Sequence, residues 1–203
     1  HMIEEYLCPV RSIKKPKRPL TITFAVGGAG AQRDIGIILL KRLHKHLKQD
    51  KIRLNLVAGV RNDVYLYFEN ALKQCDLEGC ANVRIIYAED KTSYFKVFNK
   101  ILRKTDVLWT KPSELTFYSA LGLPIIMAEP IGYQEKYNRG WLVAIGAGID
   151  SLNPEYVDEW LFDWLDSGWL AEAAMEGFLD APRMGTYRIE NIVDESNGHQ
   201  TER

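Results

Sequence analysis

Four short clusters of small and polar residues have the types and spacing to do chemistry. The first is Val26-Gly27-Gly28-Ala29-Gly30-Ala31-Gln32. Small side chains let backbone N–H groups close on an anion, and a helix starting just beyond adds its partial positive charge; a plain tight turn would need the same glycines. The second is Ala58-Gly59-Val60-Arg61-Asn62, where Arg61 could pair with a phosphate or cap a helix. The third is Lys111-Pro112-Ser113-Glu114. Ser113 suits an N-cap and Glu114 the first turn of a helix. The same residues could offer N–H groups to a diphosphate and a carboxylate to ribose or sugar hydroxyls. The fourth is Gly132-Tyr133-Gln134-Glu135-Lys136-Tyr137-Asn138. Gln134 and Asn138 lie one helical turn apart on the same side. With Glu135 they suit a ligand rich in hydroxyls, or simply a polar helix start in water.

Two familiar phosphate loops are excluded. No Gly-Lys-Ser/Thr follows the glycines, so there is no P-loop. A dinucleotide fingerprint starting at Gly28 and Gly30 puts Arg33 where its third glycine belongs. The second strand then ends in Val57-Ala58-Gly59, without the acid that holds a ribose.

The elements that must position these clusters alternate. Apolar strands are expected at Leu20–Val26, Ile52–Ala58, Val83–Tyr87, Val107–Thr110 and Pro124–Ala128, with a short one within Gly146–Ile149. Helices are expected at Ile35–Leu47, Val64–Cys75, Tyr94–Lys104, Ser113–Leu121 and Gln134–Ile145. This alternation predicts an α/β fold, a doubly wound, Rossmann-like parallel sheet with right-handed crossovers. Every cluster then falls at the carboxyl end of a strand, where one ligand can touch all four. After Asp150 the strands stop. Pro154–Leu165 and Trp169–Leu179 are aromatic-rich helices, either a cover on the sheet or a docking surface for a partner domain. Gly185–Val193 favours helix over strand. The expected divisions are a remnant and basic linker at 1–19, the sheet domain at 20–150, a helical extension at 151–193 and a frayed polar tail at 194–203.

Composition narrows the class. The chain has 203 residues, 46% hydrophobic and 26% charged, which suits a folded domain rather than a disordered chain. Its formal net charge of -1 gives no reason to expect a nucleic-acid partner. No apolar run reaches the ~18 residues of a membrane span, and no signal peptide precedes the first strand. Three cysteines, Cys8, Cys75 and Cys80, point to a reducing cytoplasm. Cys75 and Cys80 have poor zinc spacing, so no metal is expected. His1-Met2 looks like a cloning remnant, so the natural portion is expected to run from Ile3, with a preceding domain left open.

The stretch Leu121-Gly-Leu-Pro-Ile-Ile-Met127, then Gly132-Tyr-Gln-Glu-Lys-Tyr-Asn138 and Ala144-Ile-Gly-Ala-Gly148, resembles the C-terminal half of GT-B glycosyltransferases. The pattern is that of the monogalactosyldiacylglycerol synthase and lipid-II N-acetylglucosaminyltransferase branches, and it covers about residues 20–150. The resemblance implies a donor-binding domain for a nucleotide-sugar, usually a UDP-sugar, as substrate with no cofactor or bound metal. It implies that Gly27, Gly28, Ala29, Gly30, Ala31 and Gln32, with Lys111, Ser113 and Glu114, hold the diphosphate, Arg61 lying at the same edge. Gln134, Glu135 and Asn138 would contact the donor sugar, and the base would sit near Tyr87 and Ala88. Phe117 stands where the family has its ribose-binding Glu, and Glu114, one turn earlier, could substitute. The family's N-terminal acceptor-binding domain, which usually carries the catalytic base, has no room in this chain. The fragment alone is therefore expected to be inactive. The full protein is expected to be cytoplasmic, with peripheral membrane association suggested by the lipid-linked acceptors of the branches named. Two alternatives stay open: a UDP-sugar epimerase half, favoured by a carboxylate pair at the cleft, and a degenerate module without donor binding, favoured by Phe117.

Overall fold

A computed structural model of the chain describes residues 18–25, 30–113 and 115–198. Six strands form one sheet: β1 (Leu20–Ala25), β2 (Ile52–Gly59), β3 (Val83–Tyr87), β4 (Val107–Thr110), β5 (Ile125–Met127) and β6 (Gly148–Asp150). Their order is β3-β2-β1-β4-β5-β6, and every neighbouring pair is parallel. Parallel strands need crossovers, and the helices supply them. These are α1 (Arg33–Arg42), α2 (His44–Lys48), α3 (Asn62–Gln74), α4 (Lys91–Leu102), α5 (Leu115–Ala120) and α6 (Tyr133–Ala144). A 3-10 turn (Pro154–Tyr156) then leads into α7 (Val157–Asp166), α8 (Trp169–Asp180) and α9 (Gly185–Gly198). The expected α/β doubly wound sheet with a helical C-terminal extension is the observed architecture.

Strand alternation divides the core between the two faces of the sheet. Ile22, Phe24, Val107, Trp109 and Ile126 point to one face, where they pack with Leu39, Leu40, Val64 and Phe68 of α1 and α3. Leu108 points to the other face with Phe98 and Ile101 of α4, and Ile125 and Met127 join Leu115 and Leu142 there. Fully burying each such side chain contributes roughly 1.5–3 kcal/mol. α3 presses so closely on α1 that a Cβ at Gly36 would come within 2.6 Å of the Phe68 ring.

The aromatic extension is a cover. Val157, Trp160, Leu161, Trp164, Leu170 and Ala173 belong to the same buried cluster as the sheet. Ring centroids step from Trp109 to Trp160 at 5.3 Å, to Trp164 at 4.4 Å and to Trp169 at 5.2 Å. Arg42 fixes the turn before α7 by donating from Nε to Glu155 at 2.9 Å.

Three expectations change. The helix expected over Ile35–Leu47 is two helices meeting at Leu43, where the backbone opens to φ -89 and ψ 4 while Leu43 and Leu47 stay buried. The helix expected from Ser113 starts at Leu115. The C-terminal helix continues through Gly198, five residues into what sequence suggests is tail.

Candidate functional site at the carboxyl edge of the sheet

Strand register sets the edge from which the loops depart. Ala25 of β1 lies beside Thr110 of β4, Thr110 beside Met127 of β5, and Met127 beside Asp150 of β6. β1 and β4 are neighbours, yet the chain leaves them toward opposite ends of the sheet. This divergence opens the crevice where ligands of such sheets bind.

Side chains tie the loops around that crevice together. Gln32, directly before α1, donates from Nε2 to the Glu129 carbonyl at 2.8 Å, bridging the loops after β1 and β5. Its Oε1 is buried and accepts nothing among the described residues. Asn138 of α6 donates from Nδ2 to the carbonyls of Pro112 at 3.1 Å and Ser113 at 2.9 Å. Lys111 meets Glu135 at 2.6 Å, with the two side chains only 13% and 15% exposed. Glu135 also accepts from the Ile131 N–H at 2.8 Å. Burial pushes the Glu135 carboxyl up, but the Lys111 ammonium and the Ile131 and Gly132 N–H groups outweigh it. The net position is below the ordinary Glu value.

Most residues singled out by sequence are at this edge, with roles the structure refines. Gly27, Gly28, Ala29 and Glu114 lie outside the described residues. Gly30 has φ +64, a conformation that favours glycine, and a Cβ there would come within 2.9 Å of Val64. Ala31 is exposed. Arg61 precedes α3 and donates to Asp63 from Nε at 2.9 Å and from a terminal nitrogen at 2.8 Å. That guanidinium holds the Asp63 carboxyl below its usual range. Ser113 is exposed, and its backbone carbonyl serves Asn138. Gln134 and Asn138 begin one helical turn apart as expected, but Gln134 faces water while Asn138 is turned into the loop after β4.

The structure adds residues that spacing alone did not single out. An open cleft of about 930 Å³ is lined by Gln32, Ile35, Glu129, Lys136, Arg139, Asp150 and Asn153, among others. Arg139 of α6 donates from Nε to Asp150 at 2.6 Å, closing the β6 end of the cleft. Lys136 stands over the Tyr133 ring at 5.2 Å and has no ion-pair partner among the described residues. The available signal was Asp150 itself, an acid at the carboxyl end of a strand. Among the described residues no cluster of His, Cys, Asp and Glu could hold a metal ion. The edge can thus offer helix N-termini, backbone N–H groups and a few cations to an anion, with amides and carboxylates nearby for hydroxyls.

Solved structures agree with this chain on the fold. A family model described as a domain of unknown function (DUF6938) matches residues 66–153. No curated protein matches the chain in sequence. Among solved structures, Acinetobacter baumannii MurG superposes with a TM-score of 0.61 at 18% identity over 90% of this chain and 51% of that one. A Staphylococcus aureus MnaA–UDP co-structure gives 0.60 at 13% identity over 92% of this chain and 48% of that one. The C-terminal domain of a group 1 glycosyl transferase (LpcC) from Francisella tularensis gives 0.51 at 14% identity over 80% of this chain and 85% of that domain. The chain therefore spans about half the length of the first two. The resemblance to the C-terminal half of GT-B glycosyltransferases holds at the level of fold.

Proposed function

We propose that this chain is the donor-binding half of a glycosyltransferase that uses a nucleotide-sugar, with UDP-sugar as the first candidate. One observation supports the reading above the others: the loops after β1, β4 and β5 are fastened to one another at the switch point, by Gln32 to Glu129 and by Asn138 to Pro112 and Ser113. A fastened set of N–H-bearing loops is preorganised for a diphosphate. It would stabilise the negative charge that develops on the leaving group as the sugar departs, without a metal. In this reading Gly27, Gly28, Ala29, Gly30, Ala31, Gln32, Ser113 and Glu114 frame the diphosphate, and the sugar lies toward α6. The acceptor and its catalytic base belong to a second domain, which would close over this edge.

The epimerase alternative calls for a pair of carboxylates in the cleft. Glu129 and Asp150 both line the cleft, with Asp150 paired to Arg139, so this reading keeps a candidate pair and the transferase reading rests on the fastened loops.

Calorimetric titration with UDP, with ADP and GDP as controls, tests the proposal. Selective micromolar binding of UDP, about -8 kcal/mol, is the expected result. Selective binding of another nucleotide moves the donor class. Binding of none, by a chain that melts cooperatively, refutes a donor site and favours the degenerate module.

A further inference from the structure

Among the described residues, β3 closes one side of the sheet and β6 the other. β6 is three residues long, while β3 is five, Val83–Tyr87. A sheet edge is a row of unmade main-chain bonds, and natural edges are blunted by prolines, charges or a covering element. β3 has no proline and one charge, Arg84. The ladder fixes which of its groups are open. The Leu54 N–H donates to the Asn82 carbonyl at 2.8 Å, and the Ala88 N–H donates to the Gly59 carbonyl at 3.0 Å. In a parallel ladder alternate residues turn their main-chain groups to the same neighbour, so Arg84 and Ile86 face β2 while Val83, Ile85 and Tyr87 face outward. The Val83 N–H is taken by the Cys80 carbonyl at 3.1 Å. Among the described residues nothing meets the Val83 carbonyl, either main-chain group of Ile85 or either of Tyr87.

A groove of about 360 Å³ runs beside this rim, between β3 and α3, with Tyr65, Leu72, Val83 and Ile85 among its walls. Val83, Ile85 and Tyr87 are half-buried and pack toward the α3 side of the core. The Tyr87 ring lies 5.1 Å from that of Tyr65. The lining also holds two acids, Glu69 and Glu78, and two cations, Lys73 and Arg84.

We infer that this edge pairs with the same edge of a second copy of the chain, antiparallel about a two-fold axis at Ile85. In that register Ile85 of each copy donates to, and accepts from, Ile85 of the other, and each Tyr87 N–H donates to the opposite Val83 carbonyl. The register forgoes only the bond from Val83 to Tyr87, whose donor already serves Cys80. The edge is thus complementary to itself, which is what an isologous contact requires. Charge points the same way. The balanced lining lets a two-fold copy set acids against cations, whereas an acidic or a basic strand from another protein would meet as many like charges as opposite ones. The inference stands apart from the donor reading. It uses main-chain groups of β3, of Tyr87 only the N–H, and β2 separates that strand from β1.

The test is sedimentation velocity of the full chain. A short edge places the pair among transient interfaces, so concentrations of about 1–200 μM are covered. The mass is expected to rise from 23.3 kDa toward twice that value across the range. Ile85→Pro removes an outward N–H from each copy and leaves the ladder to β2 intact, as proline can on an edge strand. It should weaken association about thirtyfold, the effect of two lost bonds. Ile85→Lys and Ile85→Glu each set like charges opposite one another and should stay monomeric, while an equimolar mixture of the two should associate again. That rescue is expected only of a residue that faces its own copy across the axis. Thermal melts of each variant separate lost pairing from lost folding, and if a charged variant does not fold, Ile85→Pro alone decides. The inference is overturned if the parent chain stays monomeric throughout, or if folded Ile85→Pro associates as the parent does. It is also overturned if the two charged variants, both folded, remain monomeric when mixed.

Discussion

Replacing Lys111 with methionine leaves the Glu135 carboxylate without the ammonium 2.6 Å away while keeping it largely shielded from water. Two unit charges ~4 Å apart attract by about 4 kcal/mol at the effective dielectric of such sites. The cost of desolvating them cancels much of this. Truncating one member of a buried pair costs about 3–5 kcal/mol, and of an exposed pair about 0–1. With side chains 13% and 15% exposed, the pair lies between these limits. The expected loss for Lys111→Met is about 2 kcal/mol, equivalent to a fall in Tm of about 4–8 °C for a chain of this size. Glu135→Gln should lose about 1 kcal/mol, because the amide oxygen still accepts from the Ile131 N–H and Lys111 can turn to water. The double variant should lose less than the sum, with a coupling of about 1 kcal/mol. Urea denaturation of the four proteins measures every leg of the cycle. Additive effects, each under about 0.5 kcal/mol, would refute the reasoning and show that the loops after β4 and β5 hold their positions without the pair. They would also free Glu135 for the donor-sugar contact that its place in the sequence suggests.

The same pair sets a direction with pH. The folded-state pKa of Glu135 is below its unfolded value, so the unfolded chain binds more protons in the window between them and stability rises with pH there. The contribution is therefore complete above the ordinary Glu value of about 4.3 and is lost as pH falls through the folded pKa. Lys111→Met should flatten that part of the stability curve, measured by denaturation from acid to neutral pH. Gly177→Ala places a Cβ within 2.8 Å of the Ser119 carbonyl and 3.1 Å of Ala147; a loss of about 1–3 kcal/mol is expected from overpacking. Gly140→Ala, with nothing within 4 Å of the new methyl on the surface of α6, should instead stabilise by about 0.5–1 kcal/mol, and a loss there would refute the helix assignment.

How far the sequence could be read follows from what each element depends on. β4 lies where its apolar run ends, at Thr110, because a buried parallel strand carries its signal in its own residues. The break at Leu43 was not legible. The spacing of Ile35, Leu39, Leu43 and Leu47 satisfies one helix, and the opening arises where α1 and α2 fit a shared sheet face. The tail failed for the opposite reason: Asp194 through Gly198 lack an apolar signal, yet they extend a helix already begun at Gly185.

The site was legible as a place and less so as a division of labour. Strand ends alone locate the four loops, since a parallel sheet must send every strand-to-helix connection from the same edge. Partners across that edge depend on pairings between residues far apart in sequence, as with Lys111 and Glu135 or Asn138 and Ser113. Of the three polar residues at the start of α6, two therefore fasten the loop after β4, and Gln134 remains free to meet a ligand. Asn138→Ala should remove two bonds to carbonyls, cost about 1–2 kcal/mol and weaken nucleotide binding by loosening Pro112 and Ser113. Gln134→Ala should leave Tm unchanged, since its side chain is exposed and has no partner among the described residues. If Gln134 meets the sugar, its substitution should weaken binding of a UDP-sugar while leaving that of UDP alone intact. Equal affinities for both ligands in the variant and the parent chain would instead move the sugar contact toward Lys136 and Arg139 in the adjoining cleft.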